Sequence, residues 1–488
     1  MNDFNIVAFG TDSYKQSHHR FYPEGLETVY SYCEARSGAR FDETVFFGLQ
    51  YIIAKYLTGQ VVTQGKIEEA AAVCEAHFGS EAVFNREGWE YILHNHGGHL
   101  PVNIKAIPEG TVVPTGTALF TIENTDPQVP WLTNFLETLL MQVWSPITVA
   151  TSSREVKKII NRYLEETGDP AGLPFKLHDF GYRGVSSLET AALAGAAHLV
   201  NFMGTDTMSA LPLVMDYYNS DSVQGFSIPA TEHSVMTAGG PDGEADIVRR
   251  ILKAHPTGLV AIVIDSFDTL GFIHNVIGGN ADIMEMIRNR EGTVVFRPDS
   301  GELPKIDVDV FFALEEVFGS TLNDKGYMVL PPQVRMIQGD GINWYQKAIP
   351  MSMRLASSPG FKWRHTVEDV LGAFKNAGIS ADNIAFGSGG GLLQQFDRDT
   401  QRFAIKCSAM EINGNWIDIY KQPKTDPTKN SKRGRLAVIA SPEESTNIST
   451  IGLHELGDGQ HNLLQTVFFN GVQRDVDSFE DIKTRAAL

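Results

Sequence analysis

The stretch Ile384-Ala385-Phe386-Gly387-Ser388-Gly389-Gly390-Gly391-Leu392-Leu393 passes from an apolar, strand-like segment into a glycine loop and out into a helix-like one. Three consecutive glycines weaken both a strand and a helix, so their presence points to a place where backbone must come close to something else. Backbone N–H groups of such a loop at a helix start can cradle an anion, which makes Gly389 and Gly390 candidates for holding a phosphate. A plain flexible turn is the competing reading.

Outward from this loop the same arrangement recurs. Phe175-Lys176-Leu177 leads into His178-Asp179-Phe180-Gly181-Tyr182-Arg183-Gly184, residues 259–264 into Asp265, 293–296 into Arg297-Pro298-Asp299, and 334–337 into Gln338-Gly339-Asp340-Gly341. Further strands are expected before Asp206 and around Ile228. Ser186-Ser187-Leu188-Glu189 reads as a capping box opening a helix to about Val200, and helices are expected over 243–255, 304–318 and 366–377. Six or seven strand–helix units, without GxGxxG after the first strand, favour an irregular α/β barrel of mostly parallel strands over a doubly wound sheet. In such folds ligands sit at the carboxyl ends of the strands. Residues 171–400 are therefore the expected catalytic barrel.

Residues 1–170 break the pattern. Within them, 44–56 reads as a helix, 102–122 as a small antiparallel unit with tight turns, and 131–163 as a helix interrupted near Pro146. Residues 401–488 are rich in strand and turn signals, and the two flanks together make an expected second, β-rich domain.

Composition narrows the class. With 488 residues, 42% hydrophobic and 20% charged, the chain reads as a soluble globular enzyme. A formal net charge of -19 disfavours nucleic acid and anionic membranes as partners. Any anionic substrate must then be met by a local cluster of cations. The run holding Lys421, Lys424, Lys429, Lys432, Arg433 and Arg435 is one candidate, although such runs are usually solvated loops. No apolar run reaches membrane-spanning length, and the N-terminus lacks a signal pattern. Cys33, Cys74 and Cys407 lie far apart, which argues against a disulfide framework or zinc site and for the cytoplasm. His94, His96 and His99 read as a polar turn rather than a metal site.

The strand tips carry the chemistry. Arg297 can clamp a phosphate or stack on a ring, and Asp299 can hold ribose hydroxyls, where a surface salt bridge is the bland alternative. Asp265 and Asp340 pose the same question. Phe180 can stack on a flat heterocycle, although plain core is the default for a phenylalanine. Asp206 can accept from an amide N–H₂ and would repel a ring bearing a carboxylate. His233 is a candidate phosphoryl acceptor or proton handler, against the structural role that a lone histidine usually has.

Thr11-Asp12-Ser13-Tyr14-Lys15, residues 176–187, Gly204-Thr205-Asp206-Thr207, Glu232-His233-Ser234, and residues 297–301, 338–341 and 383–393 stand in one order along the chain. In these motifs it closely resembles the type II phosphoribosyltransferases, in their nicotinamide-using branch, nearly end to end. The resemblance implies a pentosyl transfer from phosphoribosyl pyrophosphate to nicotinamide in NAD salvage, stimulated by ATP as co-substrate. It also implies an obligate homodimer with active sites shared between subunits. Nicotinamide would lie between Phe180 and Tyr14 of the partner subunit, near Arg297, with Asp206 reading its amide, and Asp12 would be a further substrate-binding residue. Asp299, Gly339 and Asp340 would hold the ribose. Gly389 and Gly390 would bind the 5′-phosphate with Arg36, Arg398 and Lys406 from the other subunit. Arg183, Asp265, Lys421 and Lys429 would serve pyrophosphate or ATP, and His233 would be the residue that ATP phosphorylates. Mg²⁺ would be held mainly through pyrophosphate, with no metal site of the protein's own.

Ala261 and Ala404 stand where the resemblance leads one to expect serines, and the segment 343–364 is longer than expected. Rival readings are a nicotinate-using enzyme, a barrel isomerase or aldolase acting on sugar phosphates, and a nucleotide-binding regulator. Asp206 opposes the first, because a second carboxylate in a dry pocket is costly. The isomerase or aldolase would want a Glu or Lys at a strand tip, and the regulator would have no use for pyrophosphate-binding cations.

Overall fold

The computed structural model describes residues 4–346, 363–424, 430–441 and 448–488. They form two compact units: Ser152–Leu211 with Val223–Gln395 and Leu488, and Met1–Thr151 with Pro212–Ser222 and Phe396–Ala487.

The first unit is a parallel α/β barrel. Its six-stranded sheet runs in the order Gly204–Thr205, Leu177–Asp179, Ile384–Ser388, Val334–Gln338, Glu291–Arg297, Thr257–Val263, with every pairing parallel. The segment 226–230 joins the two edges. Phe226 exchanges backbone hydrogen bonds with Met203 and Thr205 on one side, while Pro229 and Thr231 bond Ala261 on the other. Each stave thus lies beside its neighbour in sequence, and seven of them close a ring. The strand expected around Ile228 exists only as these isolated bridges. Pro229 has no N–H to contribute to a ladder.

Valines, isoleucines and aromatics make the staves because a parallel sheet is covered on both faces. Val260, Ile262, Val294, Phe296, Val334, Met336, Ile384 and Phe386 are buried, each worth about 1.5–3 kcal/mol if the side chain is fully removed from water. Helices Leu188–Leu199, Glu244–Ala254, Ala281–Arg288, Lys305–Phe318 and Thr366–Asn376 return the chain between staves. The first is capped by Ser187, whose hydroxyl accepts from the Thr190 N–H; this sets Glu189 at the second helical position, so no capping box starts at Ser186.

The second unit is built on a seven-stranded antiparallel sheet, ordered Asn415–Asp418, Ala404–Ile412, Leu26–Glu34, Ala118–Asn124, Val102–Ala106, Gln465–Phe469, Val472–Gln473. Residues 44–56 are not one helix. Glu43–Val45 is a strand paired with Val112–Pro114, and helical structure begins only at Leu49, after Gly48 turns the chain with φ +104. Pro146 does not interrupt a helix either. It lies in the first turn of Trp144–Thr167, where a missing N–H is harmless; the breaks fall earlier, at Leu136 and at 142–143. Among the described residues no helix is long and apolar enough to cross a membrane.

Candidate active site

Parallel staves bring their carboxyl ends to one end of the barrel. A cavity of about 640 Å³ lies there. Phe180, Tyr182 and Arg183 line it after the stave at 177–179, Asp206 after 204–205, and Thr231 to Ser234 after 226–230. Arg297 and Asp299 follow from 291–297, Gly339 and Asp340 from 334–338, and Gly389 and Gly390 from 384–388. The remaining stave contributes Asp265, which takes no part in the lining but reaches His233.

Phe180 is fixed by its N–H donating to the Ser388 carbonyl, and the Arg297 guanidinium sits 5.8 Å from its ring centroid. Glycines make room at two points. A Cβ at Gly387 would fall 2.1 Å from the Phe180 ring, and one at Gly339 would fall 2.0 Å from Asp299 Oδ1. Arg297 Nε stands 4.0 Å from that same oxygen, buried and without a hydrogen-bond acceptor, so the guanidinium keeps binding capacity for a ligand.

Asp206 takes two hydrogen bonds on one oxygen: His178 Nε2 at 2.8 Å and Ser227 Oγ at 2.5 Å from Oδ1. Burial pulls its pKa up, but the His178 hydrogen bond and charge, the Ser227 hydroxyl and the Arg297 charge outweigh it and hold the carboxyl below its ordinary value. The neighbouring Asp179 is wholly buried and accepts from the Gly181 N–H at 2.7 Å and Thr205 Oγ1 at 3.2 Å, which locks the turn below Phe180. His233 Nε2 lies 3.0 Å from Asp265 Oδ1; the imidazole is 47% exposed and the carboxylate 4%. Ser234 donates to Glu232. Thr231 Oγ1 accepts the Val263 N–H at 2.9 Å, tying this loop to the stave below Asp265.

The glycine loop opens only a single helical turn, Gly390–Leu393. Its macrodipole is correspondingly small, so attraction for an anion there rests on the loop N–H groups. Ala261 is buried in its stave, and its N–H and carbonyl are spent on Pro229 and Thr231.

The other residues singled out in the sequence belong to the antiparallel unit. Lys406 stands opposite Tyr32 in the sheet. Burial lowers its pKa first, Glu137 opposes, and the charges of Arg36, Lys421 and Arg398 lower it further. Those three cations therefore lie close enough to act on the Lys406 amine. Arg36 Nε donates to the Arg402 carbonyl at 2.9 Å, and Arg398 pairs with Asp399 at 3.0 Å. Tyr14 is 60% exposed, and burial, then Glu137 and Asp12, raise its pKa. Asp12 accepts from Thr138 Oγ1 at 2.6 Å. Lys429 lies outside the described residues. His96 pairs with Asp126 at 2.8 Å, and no cluster of three metal-ligating side chains occurs among the described residues.

Residues 175–472 match the model of the nicotinate phosphoribosyltransferase (NAPRTase) family. The chain belongs to this family. Its residues 5–104 match the N-terminal domain of nicotinamide phosphoribosyltransferase. A protein of Xanthomonas campestris pv. campestris named nicotinamide phosphoribosyltransferase is 45% identical over 494 residues, covering 100% of this chain and 99% of its own. One of the same name from Acinetobacter baylyi is 33% identical over 523 residues, covering 100% and 97%. Two solved structures share the fold. They are nicotinate-nucleotide pyrophosphorylase from Pyrococcus furiosus (TM-score 0.58, 14% identity, 100% of this chain and 96% of that one) and human nicotinic acid phosphoribosyltransferase (TM-score 0.55, 13%, 98% and 92%). Like its family, this chain is a phosphoribosyltransferase, and so a pentosyltransferase.

Sequence reasoning passed over His178, Ser227, Asp179 and Thr231 as site residues. For His178 a signal was present: strand alternation puts it on the same face as Phe180, with Asp179 opposite. Ser227, in Phe226-Ser227-Ile228, carried none.

Proposed function

We propose that this phosphoribosyltransferase joins nicotinamide to phosphoribosyl pyrophosphate, releasing pyrophosphate and nicotinamide mononucleotide for NAD biosynthesis. The observation that carries this reading is Asp206, held ionised on the same cavity wall as Phe180 and Arg297. A carboxylate there accepts from a carboxamide N–H₂ and repels a ring carboxylate. The names of the two full-length relatives agree with it.

In this reading Phe180 takes one face of the pyridine and Arg297 orients it. Asp299 and Asp340 hold the ribose hydroxyls, the N–H groups of Gly389 and Gly390 take the 5′-phosphate, and Arg183 meets the pyrophosphate. The ring nitrogen attacks C1 as the C1–O bond to pyrophosphate breaks, through a cation-like sugar. No strong base is required. The protein's work is positioning and electrostatic stabilisation of the leaving charge. Mg²⁺ would come in with pyrophosphate, and Asp299 and Asp340 are cavity carboxylates that could meet it. When bound, it neutralises charge on the leaving group.

His233 is assigned to ATP. With Nε2 directed at buried Asp265, Nδ1 is the nitrogen to take the γ-phosphoryl group; an N–P bond forms as the P–O bond to ADP breaks. Tyr14, Asp12, Arg36, Arg398, Lys406 and Lys421, with Lys429, are assigned to the cavity of a second copy, which makes the enzyme a homodimer. A cation cluster in a chain of net charge -19 supports this assignment. Purified protein should release pyrophosphate only when nicotinamide and phosphoribosyl pyrophosphate are both supplied. Release with nicotinate in place of nicotinamide, at equal or greater rate, contradicts the reading.

A further inference from the structure

We propose that His178 is a positioning residue of the base site: it holds the Asp206 carboxylate and the Phe180 ring in one geometry, and so sets the preference for a carboxamide over a carboxylate. The inference rests on the reading of the cavity as a nicotinamide site.

Three contacts carry it. His178 Nε2 reaches Asp206 Oδ1 at 2.8 Å. An ionised carboxylate only accepts, so Nε2 carries the proton and the imidazole is the donor. The same ring lies 4.8 Å, centroid to centroid, from Phe180. Beneath it a Cβ at Gly204 would fall 2.8 Å from His178 Nδ1, so the imidazole packs on bare backbone with its side chain 13% exposed. His178 therefore cannot turn away from Asp206 without also disturbing Phe180. Asp179, anchored by Gly181 and Thr205 on the opposite face of the strand, fixes the backbone from which both rings project.

The second donor sharpens the point. Ser227 Oγ also bonds Oδ1, at 2.5 Å, and neither bond uses Oδ2. Both supports land on one oxygen and orient the other as the acceptor for an incoming N–H₂. Loss of either support frees the carboxylate to rotate, whereas loss of His178 also loosens the aromatic wall.

The test compares His178→Ala, His178→Gln and Ser227→Ala with the wild-type protein, reading KM and kcat for each substrate and the ratio of kcat/KM for nicotinamide over nicotinate. His178→Ala should raise the nicotinamide KM about ten-fold or more and lower the ratio by a similar factor, as expected for losing a hydrogen bond to a charged group. The KM for phosphoribosyl pyrophosphate should stay within about two-fold, since that substrate's contacts are elsewhere. His178→Gln, which keeps an N–H₂ donor, should recover much of the ratio, and Ser227→Ala should lower it less than His178→Ala. Should the alanine variant not fold, the glutamine and Ser227 variants carry the comparison. Parallel rises in both KM values, or an unchanged ratio across all three variants, overturn the proposal. If the wild-type protein makes no nicotinamide mononucleotide, the functional reading itself has failed. If it does, and Asp206→Ser loses discrimination while the His178 variants keep it, only the role of His178 is lost.

Discussion

The barrel mouth and the cation cluster of the antiparallel unit gather charge in opposite ways. At the mouth several charged groups face an opposite one: His178 on Asp206, His233 on Asp265, Arg297 near Asp299. In the antiparallel unit, Lys406 feels the charges of Arg36, Lys421 and Arg398, with Glu137 acting the other way. The first arrangement holds its side chains in place in the folded protein, in the geometry proposed above for a neutral ring and a sugar. In the second, burial and like charges depress the Lys406 pKa, which a bound anion would raise. Paired opposite charges and crowded like charges thus sit on separate units, and in the proposed reading substitutions in the two should fail in different ways.

Arg297→Ala breaks the balanced side hardest. It removes the cation over Phe180 and beside Asp299, and kcat/KM should fall about 10²–10³-fold, the usual cost of removing a preorganised donor at reacting charge. Steady-state kinetics check this, and a small loss would reduce the pair to a surface salt bridge. Asp206→Ser should cut the preference for nicotinamide over nicotinate about ten-fold or more, read in competition assays. An unchanged preference would mean that the mouth does not read the amide.

The cluster side responds through stability. In the wild-type protein pyrophosphate should raise Tm, and in Lys406→Met the anion-free protein should be no less stable while the pyrophosphate gain shrinks by about 2 °C. Equal gains in both proteins would separate Lys406 from anion binding. The pH dependence has a definite sign. Because burial and like charges depress the Lys406 pKa, the folded protein binds fewer protons than the unfolded chain between that depressed value and the ordinary lysine value of 10.5. Anion-free stability attributable to this group therefore rises with pH across that window. Stabilisation by pyrophosphate needs the charged amine, so it is full below the depressed value and fades as pH rises through it. Thermal melts from neutral to alkaline pH, with and without pyrophosphate, should show the two trends crossing.

The mouth was readable in the sequence where its chemistry ends an apolar run. Asp265, Arg297, Gly339 and Gly389 each follow residues that a sheet buried on both faces must contain, and the polarity changes abruptly where the sheet stops. At 226–230 the sequence led to the right place but to a fuller strand than forms, since Pro229 spoils the ladder, and Ser227 shows no pattern until folding sets it against Asp206. Ser187 rather than Ser186 caps its helix because local backbone geometry chooses between adjacent serines. The cation cluster has no local signature. Arg36 and Lys406 are far apart in the chain, and only the antiparallel pairing of Leu26–Glu34 with Ala404–Ile412 makes them neighbours. Their grouping came from family resemblance, and spacing alone could not have supplied it.

The most direct measurement incubates purified protein with phosphoribosyl pyrophosphate, Mg²⁺ and equimolar nicotinamide and nicotinate, and identifies the mononucleotide by mass spectrometry. Nicotinamide mononucleotide, formed with an equal amount of pyrophosphate and in large excess over its acid counterpart, is the expected product. Nicotinate mononucleotide as the main product, or none of either, would contradict the account.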